Sequence, residues 1–185
     1  MTPRLRPVFL ALLASICSAP AARATVCERE MARASARHGV PLGMLYAVGL
    51  TESGKRGSLQ PFAMNIGGQP YFGASLADVK QRFEQARRDG VKLIDLGCMQ
   101  INHHFHRERF ASLDSMLDPH DNVEYATQFL KELKAREGSW TLAVARYHAG
   151  PNNNPAQKQY VCRVIANMVA TGFGNWTPAA KTFCQ

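Results

Sequence analysis

The sequence predicts an α+β fold that is mainly helical, with a small antiparallel sheet or hairpin beside the helical body. Three observations carry that expectation. Apolar residues recur at helical spacing through most of the chain, a Gly-Gly pair stands between two short apolar and aromatic runs, and no repeat or linker divides the 185 residues. That length suits one domain with its own core, since independent domains run to roughly 100–200 residues.

The first 24 residues read as an export signal. Arg4 and Arg6 form a basic front, Val8 to Ile16 an apolar run, and Ala22-Arg23-Ala24 a cleavage site, so residues 25–185 form the single mature domain. The apolar run is about half the roughly 20 residues that a membrane-spanning helix needs, which argues against a transmembrane anchor. Cys17 raises a lipid-modified N-terminus, but Ile16 stands where such a site wants a small residue. Removing Arg4, Arg6 and Arg23 with no acid lowers the formal charge from +8 to +5. A basic exported protein is drawn to anionic polymers outside the cytoplasm, which are peptidoglycan and lipid headgroups. Its Lys and Arg residues are scattered without interleaved aromatics, so nucleic acid is not an expected partner.

The elements follow in order. A first helix fits Cys27 to about His38 and stops at Gly39. Pro41 then opens a second, with Leu42, Leu45, Tyr46 and Gly49 on one spacing and Thr51-Glu52-Ser53-Gly54 at its end. Asn65-Ile66-Gly67-Gly68 within Phe62 to Phe72 predicts a hairpin. Ser75 and Asp78 start a helix to Arg88, which Asp89-Gly90 stops. Val91 to Ile94 is β-prone and predicts a third strand. Helices are expected at about Asn122 to Arg136, Trp140 to Tyr147 and Gln157 to Ala170.

Four cysteines remain in the mature chain, Cys27, Cys98, Cys162 and Cys184, and an oxidising compartment favours pairing them. Four cysteines allow three connectivities. We favour Cys27–Cys98 and Cys162–Cys184, a choice that spacing alone leaves open. No C-x-x-C pair invites a metal. His103, His104 and His106 cluster, but nothing near them has the spacing of a zinc-protease helix, so an exposed groove rim is the expected setting and no metal is assigned.

Three segments stand out together: Glu52-Ser53, Gly97-Cys98-Met99-Gln100-Ile101-Asn102, and Ala145-Arg146-Tyr147-His148-Ala149-Gly150. Their order and spacing resemble the lytic transglycosylases of the soluble, lysozyme-like kind, whose pattern is Glu-Ser, then Gly-Leu-Met-Gln-Ile, then Ala-Tyr-Asn-Ala-Gly, with a later Tyr that Tyr160 matches. The resemblance covers about Cys27 to Val169. Cys98 replaces the usual Leu, in keeping with a disulfide there, and His148 replaces the usual Asn. The stretch between the first two motifs is longer than in plain members, and the hairpin and following helix fill it.

The resemblance implies a lysozyme-like fold and a periplasmic or secreted enzyme that cuts the β-1,4 bond between N-acetylmuramic acid and N-acetylglucosamine without water. Glu52 would act as acid and then base, leaving a 1,6-anhydromuramoyl end and needing no cofactor. Ser53, Met99, Gln100, Asn102, Tyr147, His148 and Tyr160 are the implied substrate contacts, with Ser53 or the tyrosines also able to steady Glu52. Peptidoglycan glycan strands are the implied partner, along with a secretion, conjugation or flagellar apparatus that uses local wall opening. Two rival readings are a hydrolytic muramidase using a second carboxylate such as Asp95, and a peptidoglycan-binding scaffold without activity.

Overall fold

The computed structural model describes residues 24–150 and 154–185. The expected signal segment therefore lies, but for Ala24, outside the described residues.

Helix α1 (Val26–His38) begins on a reciprocal cap between Thr25 and Glu28 and ends on Gly39 at φ 68°. Helix α2 (Leu42–Ser53) is apolar on nearly every side because it runs through the core, with Met44, Leu45, Ala47 and Val48 all buried. Two short strands, β1 (Gly54–Lys55) and β2 (Ser58–Leu59), follow as a minimal hairpin that the sequence reading missed. Strands β3 (Ala63–Ile66) and β4 (Gln69–Phe72) form the expected hairpin, turning on Gly67 and Gly68 at φ 58° and 93°, where both turn positions demand the left-handed region. Helix α3 (Leu76–Arg88) starts as expected on Ser75, whose hydroxyl accepts from the Asp78 amide.

The third strand departs from expectation. It is β5 (Ile94–Leu96), not Val91–Ile94, and it pairs Ile66 with Ile94, Asn65 with Asp95 and Met64 with Leu96. Pairing stops at Ile66, where the β3–β4 turn begins, and the alternation that buries Ile94 and Leu96 leaves Leu93 outside. Strand β6 (Ile101–Asn102) completes a four-stranded antiparallel sheet of order β4-β3-β5-β6.

The rest of the chain is helical. A four-residue turn of helix, α4 (His103–His106), and the short α5 (Leu113–Leu117) precede α6 (Pro119–Glu137). That long helix starts three residues earlier than expected because Asp118 caps it and Pro119 takes the first position. Helices α7 (Trp140–His148), α8 (Asn154–Ala170) and α9 (Pro178–Cys184) complete the fold. Helices α1, α2, α6, α7 and α8 pack around one core, from Met31 through Leu45 and Leu130 to Val164. The result is mainly helical with a small sheet, as the sequence predicts.

Both favoured disulfides are present, Cys27–Cys98 and Cys162–Cys184. Among the described residues no helix is long and apolar enough to cross a membrane.

Candidate active site

Helix α2 delivers Glu52 in its last turn, beside α8. The Tyr160 hydroxyl, buried on α8, donates to Glu52 Oε1 at 2.5 Å. Two walls meet here, and a groove of about 720 Å³ runs between them. Glu52, Tyr147 and His148 stand on the helical wall, and Asn65, Asp95 and Asn102 on the sheet wall.

A set of buried hydrogen bonds fixes the helical wall. The Ser53 hydroxyl donates to the Cys98 carbonyl at 2.7 Å, with the Gly49 carbonyl also within reach. The Tyr147 hydroxyl donates to the Met99 carbonyl at 2.7 Å. The Gln100 amide reaches back to the carbonyls of Gly97 and Ala63 at 2.9 and 3.0 Å, from a backbone at φ 48°. Asn122, fully buried, accepts from the Met99 amide and donates to the carbonyls of Leu96 and Met116, each at 2.9 Å. Gly97, at φ 77°, lies so close to Asn122 that a Cβ would fall 2.8 Å from its amide nitrogen. The β5–β6 turn is thus tied from three sides, by α2, α6 and α7. Ordered buried networks of this kind hold a single geometry because every group left unpaired would cost about 1–3 kcal/mol.

Not all the implied substrate contacts reach the groove. Gln100, Asn102, Tyr147 and His148 line it. Ser53 and Met99 are 1% and 0% exposed, and their side chains sit behind the wall. Ser53 gives its hydroxyl to the backbone, and Met99 fills the core beside Gly49. Tyr160 is likewise buried, but its hydroxyl reaches Glu52. His148 is exposed and stacks flat on Tyr160, with ring centroids 4.2 Å apart.

The electrostatics separate two carboxyls. Burial pushes Glu52 up to about 7; the Tyr160 hydrogen bond opposes the rise, Asp95 adds to it, and Arg163 opposes it weakly. Asp95 is also raised by burial, with the Asn102 amide, 2.6 Å from its Oδ1, pulling the other way. Burial lifts both tyrosines well above their ordinary value, so both keep their protons near neutral pH: Tyr160 donates its own to Glu52 and Tyr147 donates its own to the Met99 carbonyl. Burial lowers His148, and Arg163 lowers it further, which keeps that ring neutral near pH 7.

The Transglycosylase SLT domain family model matches residues 30–166, the stretch that holds Glu52, the β5–β6 turn, Tyr147 and Tyr160. The chain belongs to that family. SLT transglycosylases are peptidoglycan lytic transglycosylases, lyase-type enzymes of the lysozyme-like superfamily, so this SLT domain is an enzyme whose substrate is peptidoglycan. No curated protein and no solved structure matches the chain.

The SLT domain brings further residues to the groove that sequence reasoning missed. Asn65 stands beside Asp95 in register, so strand alternation through the correct pairing would have found it. Asn122, which braces the β5–β6 turn from behind and does not line the groove, carried no signal, because a lone Asn near a helix start reads as a cap. Leu93, Phe105 and Phe129 are apolar and pass in a sequence for core. Of the histidine cluster, His106 lines the groove while His103 packs edge-on against Phe83. Among the described residues no group of three His, Cys, Asp or Glu side chains could hold a metal ion.

Proposed function

We propose that Glu52 is the single acid/base of a lytic transglycosylase that cuts between N-acetylmuramic acid and N-acetylglucosamine. The observation that carries the reading is a carboxyl in the groove whose proton affinity is raised to about 7, held by a tyrosine hydroxyl that donates to it. A carboxylic acid protonates a glycosidic oxygen near neutral pH only when its environment favours the neutral form.

The proton balance closes on Glu52 alone. Its proton passes to the bridging oxygen as the bond to the muramoyl anomeric carbon breaks, and the substrate's acetamido oxygen bonds to that carbon in place of the leaving sugar. The Glu52 carboxylate then takes the proton of the 6-hydroxyl. The 6-oxygen attacks the anomeric carbon, the acetamido oxygen leaves, and a 1,6-anhydro end forms with Glu52 protonated again. The neutral Tyr160 hydroxyl stabilises the carboxylate between the two steps, as charge-assisted bonds do. Gln100, Asn102, Tyr147 and His148 face the bound strand. We place the mature enzyme, residues 25–185, outside the cytoplasm after export, and propose local wall opening for an envelope-spanning machine as its task; the motifs at the chain start and the single small domain support this.

One observation favours the hydrolytic reading. Asp95 lines the same groove and is close enough to Glu52 to raise its proton affinity. Mass spectrometry of the fragments released from purified sacculi separates the readings. We expect 1,6-anhydro products from the native enzyme and none from Glu52→Gln. Reducing ends would establish hydrolysis and point to Asp95 as the second acid, and no product from either protein would leave a binding role.

A further inference from the structure

The groove continues past Asp95 to an end that the cleavage chemistry does not use. Residue Leu93 lies two positions before Asp95 on the same extended segment, on the side away from Gly97 and Glu52, roughly 7 Å along the strand. Its backbone is fixed, because the Leu93 carbonyl accepts from the Gly67 amide at 2.9 Å. Strand β6 runs antiparallel to β5 and pairs Asn102 with Asp95, so the residues after Asn102 head toward Leu93. Helix α4 begins there and brings Phe105 to the same groove end.

Both side chains are unusually open for their type. Phe105 is 69% exposed, the most exposed large apolar residue described, and Leu93 is 50% exposed. Neighbours account for the rest of the helix. His103 packs against Phe83, and His106 meets Phe129 while its Nδ1 lies 2.8 Å from the Tyr125 hydroxyl. Phe105 stands edge-on to His104, itself exposed, and lines the groove. An isolated exposed apolar residue needs no explanation, but two on one groove, at one end of it, form a patch with a direction.

We propose that Phe105 and Leu93 form a distal subsite that grips the apolar face of a sugar beyond the bond that is cut. This rests on the transglycosylase reading, which supplies the occupant: the groove is continuous from Glu52 to Phe105, and a glycan strand lying across Glu52 and Asp95 must pass over this end. A gluco-configured pyranose presents axial C–H groups on its faces, which an aromatic ring and a leucine can cover while its equatorial hydroxyls stay in water. Strand length then becomes a determinant of turnover, because short oligomers leave the subsite empty.

The test uses Phe105→Ala and Phe105→Trp, both at an exposed position that leaves the core untouched, in native and Glu52→Gln backgrounds. On native-background enzyme, kcat/KM is measured against peptidoglycan glycan oligomers of increasing length. We expect Phe105→Ala to lose roughly two- to tenfold on long strands through KM, with the shortest cleaved oligomer unaffected, and Phe105→Trp to restore the native pattern. In the Glu52→Gln background, titration calorimetry with a long glycan oligomer should show the same loss in Kd. Unchanged binding and turnover by Phe105→Ala, or an equal loss on the shortest and longest oligomers, would overturn the subsite. Failure of the Glu52 reading is seen separately, as anhydro products that persist in Glu52→Gln.

Discussion

The two walls of the groove each carry one carboxyl, and they treat it differently. Glu52 ends an apolar helix and has a buried phenol for a partner, so its neutral form is favoured. Asp95 stands on a short strand with an amide beside it and open groove in front. The helical wall is deep and cross-braced, with Ser53, Tyr147 and Asn122 all bonded to the β5–β6 turn, while the sheet wall is thin and faces solvent at Leu93 and Phe105. Burial raises the proton affinity of the carboxyl on both walls, opposed at Glu52 by the Tyr160 hydroxyl and at Asp95 by the Asn102 amide, and the difference lies in the bracing behind them.

That contrast can be broken or sharpened by experiment. The largest effect is expected from Glu52→Gln, which should lower turnover of sacculi roughly 10²–10⁴-fold, read by release of soluble fragments. A fall of less than tenfold would mean that the helical wall does not hold the acid.

The same variant should be more stable than its parent at high pH. Glu52 has a folded value of about 7 against an ordinary 4.5, so the folded state binds its proton more tightly than the unfolded chain does. Its contribution is therefore fully present below about 4.5 and is lost as pH rises through about 7, a difference of about 3 kcal/mol at most. Thermal melts at pH 8 should place Glu52→Gln several degrees above the parent, and the gap should close by pH 4.5. A constant gap would deny the burial.

Tyr160→Phe tests the partner. Loss of its hydroxyl leaves the Glu52 carboxylate without a donor, at about 1–3 kcal/mol, and moves the high-pH limb of activity upward. An unmoved limb would show that the phenol packs without tuning.

Asp95→Asn should do least, with turnover falling by about tenfold or less and products still ending in 1,6-anhydro groups. Because the Asp95 charge raises Glu52, the high-pH limb should move downward. A loss as deep as that of Glu52→Gln would make the two walls equal partners and favour hydrolysis.

The sequence made the helical wall easier to read than the sheet wall. Residues Glu52, Tyr147 and Tyr160 sit on helices long enough to read from their caps and apolar content, and the family resemblance orders them along the chain. The meaning of Ser53 and Met99 was less visible, since nothing local says whether a motif residue faces the groove or braces the backbone behind it. On the sheet side the Gly67-Gly68 turn was legible, but the register of β5 was not. Pairing depends on a partner nearly thirty residues away, and a shift of two residues turned Leu93 from an expected strand residue into an exposed groove residue. Helix α4 was missed because four residues leave no period to detect.

The Cys27–Cys98 bond has a consequence for how the site survives unfolding. It joins cysteines 71 positions apart in the sequence, and the loop so closed contains α2, both hairpins, α3 and β5. Both carboxyls are inside it. A denatured but oxidised chain therefore keeps Glu52 and Asp95 on one covalent loop, with about 4 kcal/mol less disorder to overcome on return. The two walls lose and regain their alignment together, as the halves of a purse drawn by one string.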